Sequence, residues 1–258
     1  MSSILFEVKE SIALIQLNRP EKFNSFTGEM ALRLQNVLDE CANNKTIRAI
    51  YLTGNGKAFC AGQDLGELTG ENPPGFDVIL SQYYNPIVLR IRSIEKPIVC
   101  AVNGVAAGAG ANIALCCDIV VATQSAAFIQ AFSKIGLIPD SGGTFFLPRL
   151  IGFQKASAIM MMGDKVTATE AERIGMIYKV FPDDIFESES MKIARTLAAM
   201  PTKGLAYTKQ ALNISMHQSF DQQLATEDKL QFAAAHTSDF KEGITAFVEK
   251  RIPVFKGE

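Results

Sequence analysis

The sequence of 258 residues contains no tryptophan, only two histidines and no large charge excess of either sign. Its 25 Lys and Arg nearly balance its 27 Asp and Glu, which argues against a nucleic-acid partner or an anionic membrane surface. Metal sites need clustered ligands, and two histidines without an acidic cluster at ligand spacing predict no metal site. His217 and His236 both lie in a helical C-terminal region, so the stretch Asp140 to Gly143 lacks the histidine base of a serine protease.

The five cysteines are odd in number and show no CxxC spacing, so we expect reduced core thiols in a cytoplasmic compartment. The longest apolar stretch, Val105 to Cys117, contains Asn112 and is too short to span a bilayer. The N-terminus lacks a basic segment followed by an apolar one, so we expect no secretory signal. The composition, 48% hydrophobic and 20% charged, is that of an ordinary globular protein.

Hydrophobic periodicity predicts an α/β protein, because short apolar runs alternate with segments of helical spacing. The predicted elements are a hairpin over Ile4 to Leu17, a helix capped by Thr27, a strand over Arg48 to Thr53, a helix over Phe76 to Ile94, a strand over Ile98 to Val102, a helix over Gly108 to Cys116 and a strand over Ile119 to Ala122. This alternation predicts crossover connections and a largely parallel sheet.

The character of the chain changes after about Gly152, where apolar residues recur at amphipathic helical spacing. We therefore divide the chain into a core over residues 1–195 and a helical C-terminal region over residues 196–258. Asn72 to Gly75, with two prolines and a glycine, is predicted to be a mobile loop.

Asp140 stands out because it is the one carboxylate in the run IGLIPDSGGT. Between Pro97 and Pro148 the only other charged residues are Asp118 and Lys134. An acid with so few possible partners either binds backbone donors or has a raised pKa and exchanges protons near neutrality. The alternative interpretation is a turn residue, since Asp is favoured in turns.

Two glycine-containing junctions each follow a predicted strand, KAFCAGQDL over 57–65 and NGVAAGAG over 103–110. Small residues let a ligand approach the backbone, and the first turn of a helix leaves N–H groups without intrahelical partners. Two such N–H groups that converge on one oxygen form an oxyanion hole. The junctions therefore indicate a site for a developing negative charge.

Two nucleotide-binding motifs are excluded at these junctions. Gly108 and Gly110 begin a dinucleotide pattern, but Ile113 stands where its third glycine is required. Lys57 is followed by Ala58 where a phosphate-binding loop requires Ser or Thr.

The segments AFCAGQDL over 58–65, KPIVCAVNGVAAGAGANIALCCDIVVA over 96–122 and IGLIPDSGGTFFLPRLIG over 135–152 together resemble the crotonase (enoyl-CoA hydratase/isomerase) superfamily. NRPEKFNSF over 18–26 extends the resemblance to essentially the whole chain. The resemblance implies a spiral of ββα turns with a helical C-terminal trimerisation region. It also implies a homotrimer or homohexamer, an acyl-CoA thioester substrate, and no cofactor beyond the CoA of the substrate.

The resemblance also implies roles for individual residues. The backbone N–H groups of Ala61 and Ala109 would form the oxyanion hole for the thioester. The residues expected along the CoA are Lys22, Phe23, Ala61, Gln63, Asp64, Leu65 and Gly108.

Departures from the family pattern indicate the reaction. The two water-activating glutamates of the hydratases correspond to Asn112 and Phe132, neither of which takes a proton from water. Asp140 stands where the Δ3,Δ2-enoyl-CoA isomerases have their single acid. Phe132, together with Phe145 and Phe146, lines an aromatic acyl pocket or belongs to the core.

The sequence around these positions resembles the ring-1,2-epoxyphenylacetyl-CoA isomerase subfamily of bacterial phenylacetate catabolism. The expected function is therefore an acyl-CoA isomerase with Asp140 as acid and base. Alternatives are a Δ3,Δ2-enoyl-CoA isomerase of fatty-acid β-oxidation, an enoyl-CoA hydratase, and a crotonase-like scaffold without turnover.

Overall fold

The structure, a computed structural model, describes residues 2–258. Its strands are β1 (Ile4–Lys9), β2 (Ile12–Leu17), β3 (Ala49–Gly54), β4 (Ala58–Cys60), β5 (Ile98–Val102), β6 (Val105–Ala107), β7 (Ile119–Thr123), β8 (Ala127–Ile129), β9 (Lys165–Thr167) and β10 (Lys179–Phe181). Its helices are α1 (Gly28–Asn43), α2 (Leu65–Leu68), α3 (Phe76–Val78), α4 (Asn85–Ser93), α5 (Ala109–Leu115), α6 (Gly143–Ile151), α7 (Phe153–Met162), α8 (Ala168–Arg173), α9 (Phe186–Ala199), α10 (Thr202–Ser215), α11 (Phe220–Ala235) and α12 (Ser238–Glu249). Short 3-10 helices lie at Pro20–Lys22 and Ala131–Ile135, and a π-helical turn, Ile79–Tyr84, joins α3 to α4.

The strands form two sheets between which the chain alternates. The larger sheet has the order β1-β2-β3-β5-β7-β10 and is parallel except for the β1–β2 hairpin. The smaller sheet has the order β4-β6-β8-β9, and only β9 runs antiparallel to its neighbour. After β3, β5 and β7 the chain passes to the smaller sheet as β4, β6 and β8, which winds it into the predicted spiral of ββα turns.

The central strands β3, β5 and β7 of the larger sheet are buried on both faces, which explains why they are apolar without alternation. Ile50 and Leu52 of β3 pack into the main core with residues of α1, α4 and α5. Ala49 and Tyr51, on the opposite face, pack with Phe186 in a second core beneath α9. The smaller sheet lies on the side of the main core, where β4 and β6 meet α5.

Most predicted elements are confirmed within a residue or two of their bounds. Thr27 caps α1, and its Oγ1 accepts a hydrogen bond from the N–H of Met30 at 3.3 Å. The helix predicted over 76–94 is interrupted by the π-helical turn. Sequence reasoning missed β4, β6, β8, β9 and β10, because strands of three residues are too short to show a period of two.

The predicted start of the helical C-terminal region lies within a helix of the structure. The boundary between residues 195 and 196 falls inside α9, whose Ala194 and Ala198 are buried against the larger sheet. Helices α10 to α12 follow from Thr202. Lys209 of α10 donates to Asp118 Oδ2 at 2.8 Å, which fixes α10 to the core. No helix formed by residues 2–258 combines the length and the apolar character that a membrane span requires.

Candidate active site

Asp140 is held in a tight turn immediately before α6. Ser141 and Gly142 follow it with φ of 50° and 76°, so two successive residues adopt the left-handed conformation. The N–H of Gly143 donates to the Asp140 carbonyl oxygen at 2.8 Å and closes the turn. Asp140 is therefore a turn residue by its backbone, which leaves its carboxyl group free for a second role.

The surroundings of the Asp140 carboxyl group favour its neutral form. Burial raises the pKa of Asp140, although a hydrogen bond from the Ser141 hydroxyl to Oδ1 at 2.8 Å opposes part of that effect. Within residues 2–258 no Lys, Arg or His forms an ion pair with it. A carboxyl group with a raised pKa is suited to take up and return a proton.

The side chain of Asn112 in α5 stabilises the Asp140 turn by hydrogen bonding. Its side chain is only 1% exposed; Nδ2 donates to the Asp140 carbonyl oxygen at 2.9 Å, and Oδ1 accepts from Gln130 Nε2 at 2.7 Å. A Cβ at Gly143 would lie 2.3 Å from Asn112 Nδ2, so only glycine permits this approach. Asn112 is thus a structural amide, and it has no acid–base chemistry of its own.

The two glycine-containing junctions meet at one edge of the smaller sheet, because β4 and β6 are parallel neighbours. Gly62 has a φ of +90°, and a Cβ there would lie 3.0 Å from the Ala107 carbonyl oxygen and 3.5 Å from the Ala109 nitrogen. Glycine is required both by this conformation and by the close contact. Ala109 is the first residue of α5, and its N–H has no acceptor among residues 2–258.

The N–H of Ala61 is not available as the second donor. It donates to the carbonyl oxygen of Phe23 at 2.9 Å. The left-handed Gly62 turns the chain after Ala61, and the next N–H, that of Gln63, has no acceptor within the described chain. The free pair of N–H groups therefore belongs to Gln63 and Ala109, where the sequence had indicated Ala61 and Ala109.

The direction of the Gln63 N–H follows from its pairing with Phe26. The Phe26 N–H donates to the Gly62 carbonyl oxygen at 2.7 Å, and the Asp64 N–H donates to the Phe26 carbonyl oxygen at 2.8 Å. In such a bridge the N–H and C=O of the intervening residue point to the opposite side. No local pattern of residues predicts this arrangement, since the Phe23–Ala61 and Phe26–Gln63 contacts join segments far apart in the chain.

The residues predicted to lie along the CoA occupy two adjacent segments, 22–23 and 61–65, and the N-cap of α5. Lys22, Phe23 and Leu65 have exposed side chains. Asp64 accepts a hydrogen bond from Arg19 Nη2 at 2.8 Å and caps α2, so its carboxylate is already engaged. Gly108, at the N-cap of α5, has a φ of +52°.

The three phenylalanines do not line one pocket. Phe145 and Phe146 of α6 border a groove of about 430 Å³ that also includes Gly142 and residues of α4 and the end of α10. Phe132 is buried elsewhere, 3.8 Å from the position of a Cβ at Gly108. This groove includes none of Asp140, Gln63 and Ala109, and the Phe145 ring is covered by Arg149 and His217. Phe132, in contrast, lies beside the oxyanion loop.

One large cavity lies away from these groups. It has a volume of about 650 Å³, is bordered by β1, β2, β3 and α9, and includes none of the predicted site residues. Cavity size alone does not locate chemistry. A carboxyl group of raised pKa, whose turn is bonded through Asn112 to the helix that begins with the unpaired N–H of Ala109, is the stronger indication of an active site.

Comparison with known proteins identifies the family of the chain. The family model for enoyl-CoA hydratase/isomerase matches residues 7–258. The chain belongs to this family. A family member from Escherichia coli strain K12, 1,2-epoxyphenylacetyl-CoA isomerase, is 43% identical over 261 aligned residues that cover 100% of both proteins.

Other family members have a different activity in their names. The 2,3-dehydroadipyl-CoA hydratase of the same organism is 34% identical, and the match covers 100% of both proteins. The crystal structure of an enoyl-CoA hydratase from Bacillus anthracis superimposes with a TM-score of 0.93 at 32% identity, covering 99% of this chain and 100% of that one. The family is thus certain, and the reaction has to be argued from the site.

Proposed function

We propose that the protein is an isomerase of CoA thioesters that uses Asp140 as its acid and base. The single observation behind the proposal is the site's one carboxyl group of raised pKa, placed at the turn that precedes α6. A single base that removes and returns a proton suits an isomerisation, because no water needs to be activated. A relative of 43% identity is named as an isomerase and one of 42% identity as a probable enoyl-CoA hydratase, so the proposal depends on the site and not on the identity.

In the proposed mechanism the thioester oxygen accepts hydrogen bonds from the N–H groups of Gln63 and Ala109. For an unsaturated linear chain, Asp140 removes the proton next to the thioester carbonyl, and the negative charge moves onto the thioester oxygen. The double bond shifts, and Asp140 returns the proton two carbons further out. The two N–H groups stabilise the enolate between these steps.

For a ring epoxide the same two N–H groups hold the thioester while Asp140 acts at the opening C–O bond or at a neighbouring proton. We propose ring-1,2-epoxyphenylacetyl-CoA as the preferred substrate, because the isomerase relative of 43% identity is named for it. Phe132 beside Gly108 and Phe146 beside Gly142 lie next to the two loops of the site and offer aromatic contact to an aryl group. A Δ3,Δ2-enoyl-CoA isomerase remains the second candidate, since it needs the same single base.

We place the CoA along the exposed side chains of Lys22, Phe23 and Leu65. Lys22 supplies a positive charge for a phosphate, and the two apolar side chains, 57% and 55% exposed for Phe23 and Leu65, offer contact area. Asp64 contributes to the shape of this segment through its bond to Arg19.

A direct comparison of substrates tests the proposed function. The protein is incubated separately with a 3-enoyl-CoA and with ring-1,2-epoxyphenylacetyl-CoA, and the products are followed by absorbance and mass. Faster turnover of the epoxide supports the first candidate, and faster turnover of the 3-enoyl-CoA supports the second. Turnover of neither substrate would instead favour a scaffold without catalysis.

Hydration of crotonyl-CoA is expected to be negligible. Asn112 is occupied by Asp140 and Gln130, and Phe132 has no ionisable group, so neither activates water. The measurement is the loss of the conjugated double bond on incubation with crotonyl-CoA, with an enoyl-CoA hydratase as the positive control. Turnover at the rates typical of enzymes, about 1 to 1000 per second, would contradict the proposed isomerase.

We further propose that the protein forms a homotrimer or homohexamer through its C-terminal helices. Phe220 and Phe232 of α11 are 75% and 69% exposed, and Phe247 and Ile252 in and after α12 are 85% and 86% exposed. Large apolar groups exposed together mark an interaction surface. Sedimentation of the full chain should show three or six copies, and replacing Phe247 and Ile252 with Ser should lower that number. A monomeric parent protein would rule the proposal out.

A further inference from the structure

The side chain of Gln63 is held at both ends by other side chains. Its Oε1 accepts a hydrogen bond from the Tyr84 hydroxyl at 2.8 Å, and its Nε2 donates to Glu67 Oε2 at 2.7 Å. The other carboxylate oxygen of Glu67 accepts from the N–H of Gly28, the first residue of α1, at 2.9 Å. Four groups from three separate segments thus form one chain of hydrogen bonds, and Gln63 is its middle member.

The π-helical turn places Tyr84 in this chain. The N–H of Asn85 donates to the carbonyl oxygen of Leu80, five residues back. Pro86 has no N–H to donate to Gln82, and the buried Gln35 of α1 donates instead to the carbonyl oxygens of Gln82 and Tyr83 at 2.7 and 3.2 Å. Single π turns are frequent at functional sites. This one is stabilised by a side chain that replaces the hydrogen bond missing at proline.

Tyr84 is fixed further by packing. Its side chain is 1% exposed, and its ring meets the ring of Phe26 edge-on at a centroid distance of 5.9 Å. Phe26 also pairs through its backbone with both neighbours of Gln63. The backbone on both sides of Gln63 is therefore hydrogen-bonded to Phe26, and the Gln63 side chain is hydrogen-bonded to Tyr84 and Glu67.

We propose that Tyr84 and Glu67 are positioning residues that orient the backbone N–H of Gln63 toward the thioester oxygen. The inference depends on the proposed function, because it assumes that this N–H is an oxyanion donor. A donor of this kind acts only when it is already aligned with the developing charge. The Phe26 bridge sets the direction of the Gln63 N–H. The side-chain bonds from Tyr84 and to Glu67 limit the motion that remains to this residue, whose own N–H has no protein acceptor.

The test compares Tyr84→Phe with Tyr83→Phe in the full chain. Tyr84→Phe removes one hydroxyl group and leaves the buried ring in place. Tyr83→Phe is the matched control, since the Tyr83 hydroxyl has no hydrogen-bond partner among the described side chains and packs against Gly28. Glu67→Gln is the second variant, because its amide group cannot accept from both Gln63 and Gly28.

Two readouts separate positioning from a structural role. The first is the red shift in the absorbance of a bound aryl-acrylyl-CoA, which reports how strongly the protein polarises the thioester carbonyl. The second is the separation of kcat from KM on the preferred substrate. We expect Tyr84→Phe and Glu67→Gln each to reduce the red shift and to lower kcat about threefold to tenfold with little change in KM, in line with the loss of one net hydrogen bond.

A double-mutant cycle then tests whether the two residues act as one unit. Because both act through Gln63, the combined variant should lower kcat by clearly less than the product of the single effects. Tyr83→Phe should match the parent in both readouts. An unchanged red shift in Tyr84→Phe and Glu67→Gln would overturn the positioning role alone. Absence of any red shift in the parent would instead show that no oxyanion hole polarises the thioester, and the proposed mechanism would fail with it.

Discussion

Asp140→Asn is expected to lower turnover by about a hundredfold to ten-thousandfold, with little change in substrate affinity, because it removes the general base. Asparagine is nearly isosteric with aspartate and is equally favoured in turns. Its side-chain oxygen is able to keep the hydrogen bond from Ser141, and its backbone keeps those from Asn112 and Gly143. Turnover of both candidate substrates, measured beside CoA-thioester binding, checks this expectation.

The stability of the same variant supplies the control. The folded-state pKa of Asp140 is raised, so folding favours its protonated form. The charged carboxylate therefore lowers the free energy of unfolding. This loss begins as the pH rises above the pKa of Asp140 in the unfolded chain and is complete above its pKa in the folded protein. The neutral asparagine avoids this cost, so the melting temperature near neutral pH should be equal to or above that of the parent. A folded variant with parental turnover would show that Asp140 is only a turn residue.

A residue of this site is predictable from the sequence where its role depends on its immediate neighbours in the chain. Asp140 was identified from its own neighbourhood, because a lone acid in an apolar run beside glycines is visible in the chain itself. The first turn of a helix leaves unpaired N–H groups, which indicates the junction over 103–110, and the family resemblance then singles out Ala109. Gly62 was part of the predicted junction because a close approach of two backbones requires glycine.

The second oxyanion donor was not predictable in the same way. Whether the N–H of Ala61 or of Gln63 is free depends on Phe23 and Phe26, which lie more than 30 positions earlier in the chain. The hydrogen bond from Tyr84 to Gln63 depends on the π-helical turn Ile79–Tyr84. Hydrophobic periodicity does not distinguish such a turn from an α-helix. For the fold, long buried strands such as β3 were predicted, whereas the three-residue strands of the smaller sheet emerge only when they pair.

The helical boundary shows the same limit. Residues of α9 have helical periodicity, and the sequence therefore groups its end with the C-terminal helices. In the structure Ala194 and Ala198 cover the larger sheet opposite the main core. Amphipathic spacing indicates that one face of a helix is buried, but it does not indicate which part of the protein covers that face.

Ala109→Pro is expected to lower turnover by roughly a hundredfold or more, because it deletes one of the two N–H groups proposed to bind the thioester oxygen. Proline is tolerated at the first position of a helix, and the Ala109 N–H has no acceptor among residues 2–258 that its loss would leave unpaired. The backbone of Gly108, with φ of 52° and ψ of −129°, has the mirror image of the extended conformation that is favoured before proline. Glycine alone adopts this conformation without strain.

Ala109→Gly is the matched control: it keeps the N–H, costs about 1 kcal/mol of helix stability at most, and should retain most of the turnover. The red shift of a bound aryl-acrylyl-CoA should fall in the proline variant and persist in the glycine variant. If a folded Ala109→Pro protein turns over substrate at the parental rate, the thioester oxygen is held elsewhere and the proposed oxyanion hole is wrong.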